Sequence, residues 1–177
     1  MDLHTDRLRL RPWRSGDLDA LARLNRVERV MEFMWSGLQT RQQSREWLEQ
    51  RIAIQDVGGF AVLATELLDT GVFIGWIGLN SPTGIPELDG EVEVGWRLLP
   101  EHWGQGLATE GARASIDWGF DEGGLDRIIS MYDPGNVRSR RVMDKLGMHE
   151  WKRVVHPAYG RELLVLELTR DEWITRS

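Results

Sequence analysis

The sequence predicts an α+β fold, a mixed and mostly antiparallel sheet flanked by helices. Two observations carry this. Apolar runs at 60–67 and 72–79 are joined by Leu68-Asp69-Thr70-Gly71, and runs at 149–156 and 162–169 are joined around Pro157 to Gly160, so each pair reads as an antiparallel hairpin. Between them, Glu91 to Leu146 alternates strand, helix, strand, helix, the pattern of a local parallel crossover. No internal repeat, linker or low-complexity segment interrupts the chain. Its 177 residues read as one domain, 1–177, long enough to bury a proper core.

Thr5 to Trp13 reads as the opening strand, with Leu8 and Leu10 on one face and Arg7, Arg9 and Arg11 on the other, and Pro12 ends it. Ser15 is the expected N-cap of a helix to about Val27 that turns Leu18, Leu21, Ala22 and Asn25 inward. Glu28 to Trp35 reads as a further turn or two of helix. Its Val30, Phe33, Met34 and Trp35 are more apolar than one surface turn needs, and serve either the core or the wall of an acceptor pocket. Thr40-Arg41-Gln42-Gln43 fits a T-x-x-Q capping box. The helix that follows carries Trp47, Leu48, Arg51, Ile52 and Gln55, and Gly58-Gly59 stops it. Gly75 and Gly78, inside the second strand of the first hairpin, point to a bulge or a close approach by another group.

Asn80 to Gly90 is polar with two prolines and reads as loop. The strand from Glu91 sets Val92, Val94 and Trp96 against Glu91, Glu93 and Gly95, and Pro100, with no N–H to give, ends it. A helix from Leu107 to Phe120 follows, broken by Gly123-Gly124. Arg127 to Tyr132 is a short strand, Asp133-Pro134-Gly135 a turn, and Asn136 to Leu146 a helix closed by Gly147.

Composition excludes several function classes. Hydrophobic residues make up 41% and charged residues 28%, as in soluble globular proteins. No apolar run of about 18 residues suggests a membrane span, and MDLHTDRLRLRPW lacks the apolar core of a signal peptide, so a cytoplasmic protein is expected. There are no cysteines, which removes disulfides, thiolate metal sites and a cysteine nucleophile. Four scattered histidines lack metal-ligand spacing, so no metal is expected. A net charge of −6 argues against broad nucleic-acid binding and mildly favours cationic partners.

The turn Trp103-Gly104-Gln105-Gly106-Leu107-Ala108-Thr109 is the first candidate site. Its glycines let the backbone turn tightly and approach a ligand, and the helix behind it offers free N–H groups and a positive dipole end to a phosphate or pyrophosphate. A glycine turn before a helix is also common without any ligand. The Walker pattern and the dinucleotide fingerprint are both absent. On the later helix, positions 139, 142, 143 and 146 share a face, so Ser139 turns inward with Val142, Met143 and Leu146. Asn136 stands at the N-cap.

WGQGLATEG followed by DPGNVRSRRVMDKLGM resembles the GNAT family of acetyl-CoA-dependent N-acetyltransferases. The opening TDRLRLRPWRSGDLDALARL and the closing EL-T-x-x-E-W are similar to its RimJ/RimL-like branch, and the likeness covers essentially the whole chain. The resemblance implies a sheet splayed between the fourth and fifth strands, with the pantetheine arm of acetyl-CoA in the gap. It implies that Gly104, Gln105, Gly106, Leu107, Ala108 and Thr109 hold the pyrophosphate mostly through backbone N–H groups. Leu98 and Leu99 would pair the pantetheine amides as a strand pairs an extended ligand. Asn136 would contact the cofactor arm. Ser139 would lie near the sulfur and protonate the leaving thiolate, in place of the tyrosine that many relatives carry. Trp103 stands where the family loop often begins with Gln or Arg. A homodimer is open to such a chain, though no sequence feature selects it.

The implied reaction is direct attack of a neutral primary amine on the acetyl thioester in a ternary complex. Deprotonating a lysine amine at pH 7 costs roughly 4–5 kcal/mol, against about 1 kcal/mol for an α-amine. A protein N-terminal α-amine or a small-molecule amine is therefore the expected acceptor. Glu93 is the named general base and substrate contact, with Trp35 as pocket wall; an exposed strand carboxylate is the other reading of Glu93, and Glu162 is a weaker candidate. A non-catalytic acyl-CoA-binding or sensing module is the alternative function.

Overall fold

The computed structural model describes residues 1–34 and 36–175. Its strands are β1 (Leu3–His4), β2 (Leu8–Arg11), β3 (Leu63–Leu67), β4 (Phe73–Asn80), β5 (Glu93–Leu98), β6 (Arg127–Tyr132), β7 (His149–His156) and β8 (Arg161–Thr169). They form one sheet in the order β1-β2-β3-β4-β5-β6-β8-β7. Every neighbouring pair is antiparallel except β5 with β6, the crossover expected from the 91–146 passage. The helices are α1 (Leu18–Leu24), α2 (Glu28–Met31), α3 (Arg41–Asp56), α4 (Leu107–Asp121), α5 (Val137–Leu146) and α6 (Arg170–Thr175).

Both faces of the sheet are covered. On one, Leu107, Ala112, Ile116 and Phe120 of α4 and Met143 and Leu146 of α5 pack on Leu8, Leu10, Ile77, Leu79, Val92 and Val94. On the other, Leu21 and Leu24 of α1 and Leu48 of α3 pack with Trp13 and Ala64, flanked by Trp47, Phe73 and Trp76. Apolar residues on alternate strand positions supply each layer, because successive side chains leave the pleat on opposite faces. The α3 capping box is present: Thr40 Oγ1 accepts from the Gln43 N–H, and Gln43 Oε1 accepts from the Thr40 N–H at 2.8 Å.

Three expectations are corrected. Ser15 is not a cap. The chain enters α1 through a 3₁₀ turn at Ser15–Asp17, and the Asp17 carboxylate accepts from the Arg14 N–H at 2.8 Å. The first helix ends at Leu24, three residues early: the Arg26 and Val27 N–H groups tighten onto the Arg23 and Leu24 carbonyls in place of the i→i+4 pattern, while Asn25 keeps its inward place at 1% exposure. Arg11 does not sit on a wet face. It is 5% exposed, since α1 and α3 cover that side, and it pairs with Asp17 and Glu66.

Gly75 and Gly78 mark close approaches, as their place in a strand suggests. A bulge lies opposite Thr65 and Glu66, and Gly75 has φ +143°. A Cβ there would stand 2.1 Å from the Arg97 carbonyl oxygen, which is backbone and cannot swing aside. Gly75→Ala is expected to cost roughly 2–4 kcal/mol by combining backbone strain with overpacking, read as a lower urea midpoint at unchanged slope.

Candidate active site

The site begins where β5 and β6 part. Their ladder holds at a single register pair, Glu93↔Ile129. The Ile129 N–H donates to the Val92 carbonyl at 2.9 Å, and the Leu99 N–H donates to the Ile74 carbonyl of β4 at 2.8 Å. Backbone groups alternate sides along a strand, so Val92, Val94, Trp96 and Leu98 aim theirs toward β6, and Glu93, Gly95, Arg97 and Leu99 aim theirs toward β4. Past Val94, β6 no longer answers. The Ser130 hydroxyl donates to the Val94 carbonyl at 2.8 Å in place of a backbone N–H. The sheet therefore opens into a gap with a strand edge, Trp96 to Leu98, on one side.

Glu93 lies at the mouth of that gap. It is half-buried, which removes the exposed-strand reading. Burial pushes its carboxyl up to about 7, against hydrogen bonds from Asn80 and the Met131 backbone N–H that favour the charged form. Asn80 Nδ2 donates to Glu93 Oε2 at 3.2 Å from the directly opposite position on β4. A carboxyl poised near neutral pH can take and give a proton under working conditions. Glu162, the weaker candidate, is exposed on the β7–β8 hairpin and pairs with Arg153 at 3.1 Å.

The glycine turn sits beyond the end of β5. Gly104 and Gly106 have φ of +74° and +82°, and Gly106 is the residue before α4. No side chain caps the helix; the Glu110 N–H returns to the Gly106 carbonyl, while the first N–H groups of α4, Leu107, Ala108 and Thr109, precede any intrahelical partner. Gly104, Gln105 and Gly106 are exposed and Leu107 is buried, so the turn is anchored by one side chain and open along its backbone. Arg7 steadies it from the N-terminal arm, donating to the Gln105 carbonyl at 3.0 Å and to Glu110 at 2.7 Å. A shallow groove runs from Gly106 past Thr109 and Arg113 to Lys145.

Trp103 joins the parts. Its indole N–H donates to the Leu98 carbonyl at 2.7 Å, and its ring lies between Arg29, at 5.1 Å, and Arg138 of α5, at 4.5 Å. The first turn of α5 is thereby held against the start of the glycine turn. Asn136 caps α5: its Oδ1 accepts from the Ser139 N–H at 3.1 Å. Ser139 is half-buried on the face shared with Met143 and Leu146.

The expectation for Leu99 is revised. Its N–H goes to Ile74 and its carbonyl accepts from the His102 N–H at 3.0 Å, so neither group is free for a ligand. The strand alternation turns the backbone groups of Trp96 and Leu98, not those of Leu99, toward the gap. Trp35 lies outside the described residues. Ser130, Asn80 and Met131 were not foreseen. Only Asn80 had a readable signal, a polar residue closing a strand directly before a loop.

The comparisons agree with this geometry. Residues 7–149 match the model of the acetyltransferase (GNAT) domain. The chain is 36% identical over 152 residues to the uncharacterized protein YkkB of Bacillus subtilis (strain 168), covering 86% of this chain and 87% of that one. It is 30% identical over 148 residues to the uncharacterized N-acetyltransferase YnaD of the same organism, covering 84% and 82%. The acetyltransferase from Agrobacterium tumefaciens str. C58, a crystal structure, superposes with a TM-score of 0.82 at 28% identity, covering 96% and 95%. A strand pair that parts after one register pair, an uncapped glycine turn beside it and a family match across most of the chain lead to one conclusion: the protein belongs to the GNAT family and is an N-acetyltransferase.

Proposed function

We propose that the protein moves an acetyl group from acetyl-CoA to a primary amine, a protein N-terminal α-amine or a small-molecule amine, in the manner of the RimJ/RimL-like branch. The observation that carries this reading is the β5–β6 gap, with Glu93 at its mouth and the uncapped end of α4 beyond its open edge. The backbone of Gly104 to Thr109 would hold the pyrophosphate, since unpaired N–H groups and the helix dipole both favour anionic oxygen. The Leu98 N–H, and Trp96 before it, would pair the pantetheine arm along the strand edge. Asn136 would meet the arm through its amide, and Ser139 would give a proton to the leaving thiolate.

Glu93 would accept the proton of the attacking amine at a carboxylate oxygen, directly or through one water. The sequence alone weighs an acyl-CoA-binding module against an enzyme; membership of an N-acetyltransferase family and a carboxyl poised near neutrality favour the enzyme.

Thermal unfolding with acetyl-CoA, beside NAD and ATP, tests the reading. Acetyl-CoA at about 100 times its dissociation constant should add roughly 2.7 kcal/mol. A shift with NAD or ATP instead, or with none of the three, overturns it.

A further inference from the structure

Arg97 is a half-buried cation that meets no carboxylate among the described residues. It follows Glu93 on the same face of β5, four residues on and so roughly 13 Å along the strand. Its Nη1 donates to Asn25 Oδ1 at 2.8 Å, and its plane lies over the Trp76 ring at 4.9 Å. Nη2 faces the sulfur of Met34, a weak acceptor. Among the described residues its Nε has no partner, and neither has the indole N–H of Trp76, which stands directly opposite on β4. Nearby in the same aromatic stack, Trp47 packs on Trp76 at 6.1 Å and carries Arg51 at 5.2 Å, whose Nε is also buried without a partner.

Two guanidinium groups thus share one apolar cluster with three unpaired donors. Burial alone pulls Arg97 down to about 10 and lowers Arg51 as well, with no carboxylate raising either. Leaving buried donors unpaired is costly, more so for charged groups, so such donors in a native fold call for an explanation. The chain elsewhere pairs its buried cation fully: Arg11 meets two carboxylates. Arg97 and Trp76 are only half-buried, so a ligand can approach them.

We propose that Arg97, with Trp76 beside it, forms the carboxylate subsite of the acceptor pocket, so that the acceptor is an amine that also carries a carboxylate. This rests on the acetyltransfer reading above. The carboxylate oxygen takes the place of the Met34 sulfur on Nη2, in the fork geometry that guanidinium offers to carboxylate. The amine end of the same molecule then lies toward Glu93. Polyamines and aminoglycosides, which bring only positive charge to this face, are poor acceptors.

The test uses thiol release from acetyl-CoA with matched amines long enough to span the two groups: dipeptides and tripeptides, and the same molecules amidated at the carboxyl end. The expected result is at least a tenfold higher kcat/KM for the carboxylate member of each accepted pair. Arg97→Gln should bring that ratio close to one, and Arg97→Lys should leave it intermediate. Acetyl-CoA-induced stabilisation of each variant checks that it folds and still binds the donor. Equal use of both members by the parent protein overturns the proposal, as does an unchanged ratio in folded Arg97→Gln. So does failure of every pair while acetyl-CoA still binds, an outcome that leaves the donor site standing. Preference for succinyl-CoA over acetyl-CoA, lost in Arg97→Gln, would also overturn it by placing the carboxylate on the acyl donor. Loss of acetyl-CoA binding by the parent protein would instead overturn the acetyltransfer reading itself.

Discussion

Glu93→Gln is expected to lower kcat by roughly 10²–10⁴-fold, the usual contribution of a positioned general base. The substitution keeps the shape and the Asn80 contact but removes the proton acceptor. In the parent protein, kcat/KM should rise with pH through about 7, as the Glu93 carboxyl loses its proton. In the glutamine variant that limb should disappear, leaving only the one set by the acceptor amine itself, near 8 for an α-amine. Stability should move the other way. The folded state holds the Glu93 proton up to about 7, while an unfolded chain releases it near 4.5. Between those values the folded state binds more protons, so stability falls as pH rises, and the deficit is complete above the folded value. Glutamine carries no such charge, so the variant should be more stable at pH 8, by roughly 1–3 kcal/mol. A slower enzyme that melts higher identifies a catalytic carboxylate. A variant that loses turnover and melting temperature together would identify a structural one, and wild-type turnover with the pH limb intact would remove Glu93 from the chemistry.

The sequence placed Glu93 on the right strand because alternation is local: Val92 and Val94 point one way, so Glu93 points the other. It could not show that this carboxyl ends up between β4 and β6, beside Asn80 and the Met131 backbone, where burial moves it toward neutrality. The same blindness hid Arg11 and Arg97. In sequence each is an arginine on the polar side of a strand; in the fold Arg11 is buried and Arg97 half-buried. The glycine turn was legible because positive φ and an uncapped helix follow from residue type and order. Leu99 was misread for a finer reason. Which backbone groups face the gap depends on a one-residue phase, fixed by pairing of Leu99 with Ile74 some 25 residues earlier in the chain.

Element boundaries followed similar logic. β6 has the expected bounds, Arg127–Tyr132, because a turn and glycines bracket a short apolar run. The capping box fixed the start of α3 for the same reason, a local hydrogen bond between near neighbours. The start of α1 was missed because a 3₁₀ turn, Ser15–Asp17, precedes it and no side chain caps the helix; the Asp17 carboxylate instead closes that turn on the Arg14 N–H and pairs with the distant Arg11.

That pairing supports the largest expected loss of stability. Arg11→Met should cost roughly 3–5 kcal/mol, the range for removing one member of a buried ion cluster. Arg11 donates through Nη1 and Nη2 to the two Asp17 oxygens at 2.8 Å each, and through Nε to Glu66 at 2.8 Å. Hydrogen bonds donated to Asp17 come first, and with those to Glu66 they raise Arg11 above the ordinary arginine value despite burial. Methionine fills much of the space but leaves two carboxylates facing each other without a cation. Most of the cost is that uncompensated charge, not the loss of the original pairs. One consequence separates this account from simple mispacking: adding Asp17→Asn and Glu66→Gln to Arg11→Met should recover part of the deficit. Urea midpoints at pH 7 measure it; a deficit unrelieved by the amides would make the cause packing alone. The cluster joins β2 to β3 and to the entrance of α1, and the far end of α1 carries into Asn25, which holds Arg97. A loosened cluster should therefore reach the acceptor face of the site before it reaches the glycine turn, which is braced separately by Arg7 and Glu110. In Arg11→Met, kept folded below its midpoint, KM for the amine should rise while acetyl-CoA binding holds.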